Sequence, residues 1–248
     1  TVSFSNINIV NAEESLTKRI SVHDPSIVKD GDDYYLFGTH LTNAKSLDLR
    51  NWDSYTTTVN TDYEDIFKDG VKWASHGSDD YETKGNLWAP DIIYNEAMGK
   101  WCMYMSVNGQ NYYSSIALAT ADDINGPYTY EGTVVYSGFT NSEEASETDF
   151  SKVTGTNDVA DRYLLNDGWN YTYGPNAIDP CVVYDEDGQL WMSYGSWFGG
   201  IFLMKLDNET GLRDYSYTYP TERGVGDEYL GLLISGGYGG TGEGSYIV

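Results

Sequence analysis

The sequence is poor in basic residues and lacks long apolar runs, and both shortages exclude partners. Its 248 residues include 14 Lys and Arg against 38 Asp and Glu, which gives a formal net charge of −24. Proteins that bind nucleic acid or anionic membranes use Lys and Arg to neutralise phosphate, so we expect neither partner here. No apolar stretch approaches the roughly 20 residues that a membrane-spanning helix needs.

Cysteine and histidine are also scarce. The two cysteines, Cys102 and Cys181, lie in apolar strand-like runs and are expected to be buried thiols. The three histidines are too scattered to suggest a zinc site. The sequence contains no G-x-S-x-G motif, and no cysteine has a plausible His partner, which argues against Ser or Cys nucleophiles. We expect no organic cofactor, and the residues alone indicate no metal ligands.

Aromatic residues, in contrast, are abundant, with 23 Tyr, 7 Trp and 7 Phe. Most are expected to pack within β-strands, which aromatic side chains favour. Exposed Tyr and Trp can also stack on the apolar faces of sugar rings. The composition therefore favours a carbohydrate ligand as one hypothesis.

One short segment recurs four times along the chain. Aligned on Pro25, Pro90, Pro180 and Ser245, the copies start 65, 90 and 65 residues apart, and each ends in two β-branched residues. Recurrence at this spacing is typical of radially repeated β-sheets, whose inner strands converge on one axis. The four copies are residues 23–28, 88–93, 178–183 and 243–248.

These repeats predict an all-β propeller. Each of the first three copies is followed by a turn-forming cluster and an aromatic-rich run, which is a hairpin pattern. Outer strands are predicted at 128–132 and 212–215, and no helical period persists long enough to predict a helix. We interpret 137–173 as an inserted surface loop. Residues 1–248 are then the N-terminal part of a single catalytic propeller domain, with about three blades and the first strand of a fourth.

Three of the repeats carry an acid at or next to the same position. If the inner strands converge, Asp24, Asp179 and Glu243 meet although they are distant in sequence. A carboxylate on an inner strand is desolvated unless it has a partner or a function. Glycoside hydrolysis needs two carboxyl groups at the scissile bond, one to protonate the leaving oxygen and one to activate water or attack carbon. The pattern therefore favours acid–base catalysis.

The ordered set of motifs resembles glycoside hydrolase family 43, and its endo-1,5-α-L-arabinanase branch in particular. Members of this family are five-bladed β-propellers that hydrolyse arabinose and xylose polymers with inversion. The fourth block differs from the family motif in carrying Ser245 where a Pro usually stands. The similarity rests on residues 22–27, 87–91, 176–180, 191–196, 199–201 and 243–247.

The resemblance implies a role for each acid. Asp24 matches the general base, Glu243 the proton donor, and Asp179 the acid that orients the donor and adjusts its acidity. It also implies a structural calcium, for which no ligand is assigned, and sugar subsites formed by a further five residues. Those residues are Trp88, Asn176, Ser196, Trp197 and Phe198.

The implied function is inverting cleavage of internal α-1,5-L-arabinofuranosidic bonds in arabinan. Because the substrate is a polymer, we expect the protein to be secreted or periplasmic. A second polypeptide or a further C-terminal segment is expected to complete the propeller. Two alternatives stay open: an exo-acting arabinofuranosidase or β-xylosidase of the same family, and a non-catalytic carbohydrate-binding propeller fragment.

Overall fold

The computed structural model describes residues 17–247, which form three antiparallel β-sheets in chain order. The strands of these sheets and of one separate two-stranded ribbon are β1 (Ser26–Asp30), β2 (Asp33–Gly38), β3 (Thr42–Ser46), β4 (Asp53–Ser54), β5 (Leu87–Asn95), β6 (Lys100–Val107), β7 (Ser115–Ala121), β8 (Thr129–Tyr136), β9 (Leu164–Leu165), β10 (Gly168–Trp169), β11 (Cys181–Tyr184), β12 (Leu190–Tyr194), β13 (Ile201–Lys205), β14 (Gly226–Asp227) and β15 (Gly231–Ser235). The first sheet has the order β1-β2-β3-β4 and the second β5-β6-β7-β8. The third has the order β11-β12-β13-β15-β14, and β9 pairs with β10 alone.

The first two strands of each sheet form the predicted hairpins. In the first, Asp30 pairs with Asp33, so the connection is a two-residue turn, and Gly31 within it has a φ of 59°. Such turns require positive φ, which glycine adopts without steric cost. Each of the first three repeat starts therefore leads into the inner hairpin of a sheet, as the sequence predicts.

The second sheet separates two hydrophobic cores. Along β6, Cys102 and Tyr104 belong to the core shared with the third sheet, whereas Met103 and Met105 belong to the core shared with the first. Successive side chains of a strand point to opposite faces, so a strand that is apolar at every position is buried on both sides. The packing therefore stacks the three sheets face to face.

Helices are present where none was predicted. Four short helices lie between the sheets, and no helix among the described residues is long and apolar enough to cross a membrane. At eight residues or fewer they are too short to show a helical period, and such helices are stabilised by packing rather than by propensity. They are α1 (Val59–Ile66), α2 (Lys68–Ser75), α3 (Ser142–Ser146) and α4 (Phe150–Thr154).

Residues 137–173 are packed rather than being a surface loop. This segment contains α3, α4, β9 and β10, and it contributes Phe139, Phe150, Tyr163 and Trp169 to the core beside the third sheet. The Phe139 ring lies 4.8 Å from the Phe150 ring and 5.0 Å from the Trp169 ring. The sequence between these four rings is polar and rich in turn residues, so the segment was predicted to be a surface loop although the four rings are buried.

The outer edge of the third sheet also differs from the prediction. Residues 212–215 form no strand, and only an isolated bridge joins Arg213 to Leu206. The fourth strand is instead β15, which lies partly in the glycine-rich stretch before the fourth repeat. No strand forms over 243–247 either, although the Ile247 N–H donates to the Cys181 Sγ at 3.3 Å. The predicted outer strand at 128–132 is confirmed as the start of β8.

Candidate active site

The four repeat starts meet at one cavity. Its volume is about 150 Å³, and three consecutive residues from each repeat line it: 24–26, 89–91, 179–181 and 244–246. Each triplet contains the position on which the repeats were aligned. The sequence alignment therefore corresponds to a real convergence in space.

The same backbone conformation precedes each aligned position. The φ angles are 48° at Asp24, 39° at Ala89, 59° at Asp179 and 58° at Gly244. Residues other than glycine disfavour this left-handed region, by about 1–2 kcal/mol, and Asp tolerates it better than Ala. Strain of this kind persists only where the surroundings enforce it, and it clusters at functional sites.

Asp24 is held by two side chains. The Thr39 hydroxyl donates to the Asp24 Oδ2 at 2.7 Å, and the His23 Nδ1 lies 2.6 Å from the same oxygen. Thr39 also accepts a hydrogen bond from the Ala89 N–H at 2.8 Å, which ties the first repeat to the second. The hydrogen bond to Asp24 raises the pKa of His23, with the negative charges of Asp179 and Glu243 adding to the effect. These contacts fix the Asp24 carboxyl group relative to the second repeat.

Asp179 is partly buried beside the other two acids. Its N–H donates to the Ser106 hydroxyl at 3.0 Å, and its Oδ2 accepts from the Gly244 N–H at 3.2 Å. Burial raises the pKa of Asp179 to about 6, the neighbouring Ser196 hydroxyl and the Gly244 N–H partly offset this, and the charges of Asp24 and Glu243 add to it. The three acids therefore lie within electrostatic reach of one another.

Glu243 is exposed, as is Asp24, whereas Asp179 is partly buried. Two backbone contacts fix it: the Gly242 N–H donates to the Trp197 carbonyl at 2.9 Å, and Gly244 donates to Asp179. The carboxyl group is accessible to solvent, as a proton donor to a large substrate must be. The structure thus brings together all three acids that the sequence singled out, and their individual roles stay predictions.

Three of the predicted sugar-binding residues are not presented at the cavity surface. Trp88 is half-buried and donates its indole N–H to the Gly85 carbonyl at 2.6 Å. Asn176 and Ser196 are buried and pair with each other in an isolated bridge, which supports the backbone beside Asp179. Their contact with a sugar stays a prediction.

Trp197 and Phe198, the other two predicted sugar-binding residues, belong to an exposed group of rings. Tyr112 stacks on Tyr171 with centroids 5.8 Å apart, and Trp197 meets Tyr112 edge-on at 5.4 Å. Phe198 lies 6.2 Å from Tyr171. We call Tyr112, Tyr171, Trp197 and Phe198 the aromatic platform. Ser196 and Gly242 connect it to Asp179 and Glu243, so it begins beside the acids.

The sequence reasoning missed several residues of the site. His23 and Asp91 lie inside the repeated segments, and Thr39 directly follows the first hairpin. Nothing in the sequence distinguishes these three residues from other residues of the same strands and turns. Tyr171 was hidden because its segment was interpreted as a surface loop. In the described part of the chain, no three His, Cys, Asp or Glu side chains are grouped to hold a metal ion, and the expected calcium stays a prediction.

Comparison of the sequence with known proteins identifies a family. The family model for glycosyl hydrolases family 43 matches residues 17–176. An extracellular endo-α-(1→5)-L-arabinanase of Thermotoga petrophila is 37% identical over 208 residues, which are 81% of this chain and 39% of the relative. Extracellular endo-α-(1→5)-L-arabinanase 2 of Bacillus subtilis is 36% identical over 220 residues, 85% of this chain and 40% of the relative.

One solved structure has a similar fold. The crystal structure of endo-1,5-α-L-arabinanase from Thermotoga petrophila RKU-1 superposes with a TM-score of 0.69 and 35% identity, covering 94% of this chain and 46% of that one. The chain therefore spans about 40% of the length of these curated relatives. The family match and the shared fold lead to one conclusion: this chain belongs to glycosyl hydrolase family 43.

Proposed function

We propose that this chain carries the catalytic acids of an inverting glycoside hydrolase that cleaves internal α-1,5-L-arabinofuranosidic bonds in arabinan. The observation that carries the proposal is that Asp24 and Asp179 line one cavity, with Glu243 next to the lining residue Gly244 and within electrostatic reach of Asp179. Relatives at 36–37% identity are named as extracellular endo-arabinanases, which supports both the substrate and secretion. A net charge of −24 suits a neutral polymer, since it creates no attraction for an anionic one.

In the proposed mechanism, Asp24 is the general base. Its contacts with Thr39 and His23 fix one oxygen, Oδ2. The other carboxylate oxygen remains free to take a proton from water as that water attacks the anomeric carbon. The Thr39 contact with the second repeat keeps this carboxylate at a constant position relative to the cavity.

Glu243 is the proposed proton donor, and Asp179 is its partner. Glu243 and Asp24 both lie within electrostatic reach of Asp179. The Gly244 N–H, adjacent to Glu243, is bound to the Asp179 carboxylate, so Asp179 also orients the backbone that carries the donor. The donor gives its proton to the leaving oxygen as the glycosidic bond breaks.

We propose that the aromatic platform binds the arabinan chain on one side of the acids. Tyr171 and Phe198 are each about 40% exposed, and their rings lie 6.2 Å apart. Furanose rings have apolar faces that stack on such surfaces. Asn176 and Ser196 then support the platform from beneath, and Trp88 lines the cleft farther from the acids.

We also propose that further polypeptide completes a five-bladed propeller. Apolar side chains on the first and third sheets are unusually exposed, with Ile27 at 45% and Ile234 at 47%. Exposed apolar surface of this kind is typical of a missing packing partner. A longer C-terminal segment or a second chain would bury it, consistent with the match covering only 39% and 46% of the longer relatives.

Site-directed substitution tests the catalytic proposal. The intact mass of the purified active material is measured first, to identify any polypeptide that completes the propeller. Asp24→Ala and Glu243→Ala are then assayed on linear arabinan, and we expect losses of at least about 1,000-fold in kcat, which is the scale of a lost catalytic group. Glu186→Ala, at the exposed tip of the β11–β12 hairpin, is the matched control and should retain full activity.

Product analysis separates the alternatives. Oligosaccharides of mixed length indicate endo action, whereas monosaccharide alone indicates the exo-acting alternative. Proton NMR of the first product gives the anomeric configuration, and a retained configuration would overturn inversion. Binding of arabino-oligosaccharides without turnover, in material that contains the completing polypeptide, would indicate the non-catalytic alternative instead.

A further inference from the structure

A second set of contacts repeats beneath the catalytic acids. Two residues after the left-handed position, each of the first three repeats places a side chain that accepts a hydrogen bond from the backbone of the next repeat. Two of these contacts join neighbouring sheets close to the cavity, and the third joins the third sheet to the fourth repeat. They run from the Ile92 N–H to the Ser26 Oγ (3.2 Å), from the Val182 N–H to the Asp91 Oδ2 (2.6 Å) and from the Ile247 N–H to the Cys181 Sγ (3.3 Å).

Asp91 differs from its counterparts because it binds both neighbouring repeats. Its Oδ1 accepts from the Ser26 hydroxyl at 2.7 Å, while its Oδ2 accepts from the Val182 N–H at 2.6 Å. Ser26 is two residues from Asp24, and Val182 is three residues from Asp179. One carboxylate therefore connects the backbone of the predicted base to that of the predicted tuning acid.

The second repeat has Ala89 where the first and third repeats carry Asp24 and Asp179. Its acid lies two residues later, on the wall of the same cavity. Among the described residues Asp91 forms no ion pair, and its burial raises its pKa. A partly buried carboxylate without a cation is costly, so packing alone does not account for it.

The catalytic acids need such a connection because their backbone is strained. Asp24 and Asp179 both have positive φ, and neither conformation would persist in an isolated strand. Displacement of a reacting group by about 1 Å can reduce a rate by roughly 100-fold. The distance between these two acids is therefore a quantity that the fold must hold constant.

We propose that Asp91 is a positioning residue for the reaction: by binding Ser26 and Val182 at once, it sets the separation between Asp24 and Asp179. It does not touch the reacting atoms. This inference rests on the proposed function, in which those two acids act together on one glycosidic bond.

The test compares three substitutions with different hydrogen-bonding capacity. Asp91→Ala removes both contacts, and we expect kcat on arabino-oligosaccharides to fall about 100-fold with KM within about threefold. Asp91→Asn can still accept from Val182 and can donate to Ser26, so kcat should stay within about tenfold of the wild type. Ser26→Ala removes one contact and should give an intermediate value.

Glu131→Gln is the matched control. Glu131 is also a hydrogen-bonded acid of the second sheet, accepting from the Thr120 hydroxyl at 2.6 Å, but it does not line the cavity. It should leave kcat unchanged. Unfolding temperatures are measured for all variants, and assays are run well below the lowest. A loss that merely follows stability, with Ala and Asn equally impaired, would overturn the proposal.

A second measurement does not depend on activity. Crystal structures of wild type, Asp91→Ala and Asp91→Asn give the separation of the Asp24 and Asp179 carboxyl carbons. We expect it to change by roughly 1 Å in the Ala variant and to be preserved in the Asn variant. An unchanged separation in Asp91→Ala would refute the positioning role. Full activity in Asp24→Ala would instead refute the proposed function, and the two failures are thus distinguishable.

Discussion

The Gly244 N–H donates a hydrogen bond to the Oδ2 atom of Asp179 at 3.2 Å, joining residues that are 65 positions apart. Gly244 follows Glu243 directly, so the hydrogen bond to Asp179 helps to fix the backbone position of Glu243. Asp179 also receives the negative potential of Asp24, which raises its pKa further. Asp179 therefore interacts with both other acids: it is affected by the charges of Asp24 and Glu243, and it binds the backbone next to Glu243.

Asp179→Asn is expected to stabilise the protein at neutral pH. The pKa of Asp179 is raised to about 6 from 3.8, so the folded state binds more protons than the unfolded state between about pH 4 and pH 6. Stability therefore falls as pH rises through this window. We expect Asp179→Asn to raise the Tm by a few degrees at pH 7 and to match the wild type at pH 4, as measured by circular dichroism. A Tm difference that is the same at both pH values would contradict this assignment of the pKa.

Thr39→Val is expected to impair catalysis more than binding. The substitution preserves shape but removes the hydrogen bonds to the Asp24 carboxylate and from the Ala89 N–H. A hydrogen bond to a charged group contributes about 1.5–3 kcal/mol, so we expect kcat to fall by roughly 10- to 100-fold with little change in KM. Steady-state kinetics on arabino-oligosaccharides give both values.

Thr120→Val is the control for Thr39→Val. It breaks a comparable threonine–carboxylate bond, to Glu131 at 2.6 Å, away from the cavity. It should leave kcat unchanged. Equal losses of kcat in the two variants would mean that Thr39 acts only through general stability.

Ala89→Gly and Gly244→Ala are expected to change stability in opposite directions. Ala89 has a φ of 39°, and glycine would relieve the strain, for a gain of up to about 1 kcal/mol. Gly244 has a φ of 58°, and a Cβ there would meet no atom within 4 Å, so the cost of about 1 kcal/mol would be conformational. Urea denaturation gives both free energies of unfolding. A stabilised Gly244→Ala variant would show that this conformation is not enforced.

Trp197→Ala and Tyr171→Ala are expected to weaken substrate binding. Both rings belong to the aromatic platform, and an aromatic stacking contact contributes about 0.5–1.5 kcal/mol, so KM for long arabino-oligosaccharides should rise roughly 3- to 10-fold in each. Tyr217→Ala removes a ring of similar exposure that packs on Trp191 of the third sheet, and it should leave KM unchanged. An increase in KM confined to Tyr217→Ala would place the sugar elsewhere.

The hairpins and the repeat starts were predictable because both depend on local chemistry. Turn residues such as Gly31 and the β-branched residues that follow Pro25, Pro90 and Pro180 act over a few positions, where sequence and conformation are directly linked. The same locality explains why β8 was found. The helices α1 and α2 were missed because eight residues carry too little periodic signal.

The missed parts of the site depend on contacts between distant residues. Nothing near Asp91 in sequence indicates that its two oxygens bind Ser26 and Val182, which are 65 and 91 positions away. Tyr171 is similarly recognisable as part of the site only because it stacks on Tyr112. Such pairs form only when the sheets pack.

The sequence by itself determined that four equivalent segments exist and that three of them carry acids, because repetition and residue type are properties of the chain. Only the tertiary structure decided which atoms meet: the Gly244 N–H on Asp179, the Thr39 hydroxyl on Asp24 and the two-sided contact of Asp91. The physical reason is the distance along the chain over which each kind of interaction acts. Propensity and turn chemistry act within a few residues, whereas charge, burial and hydrogen bonding at a shared axis depend on distances that the packing of whole sheets sets.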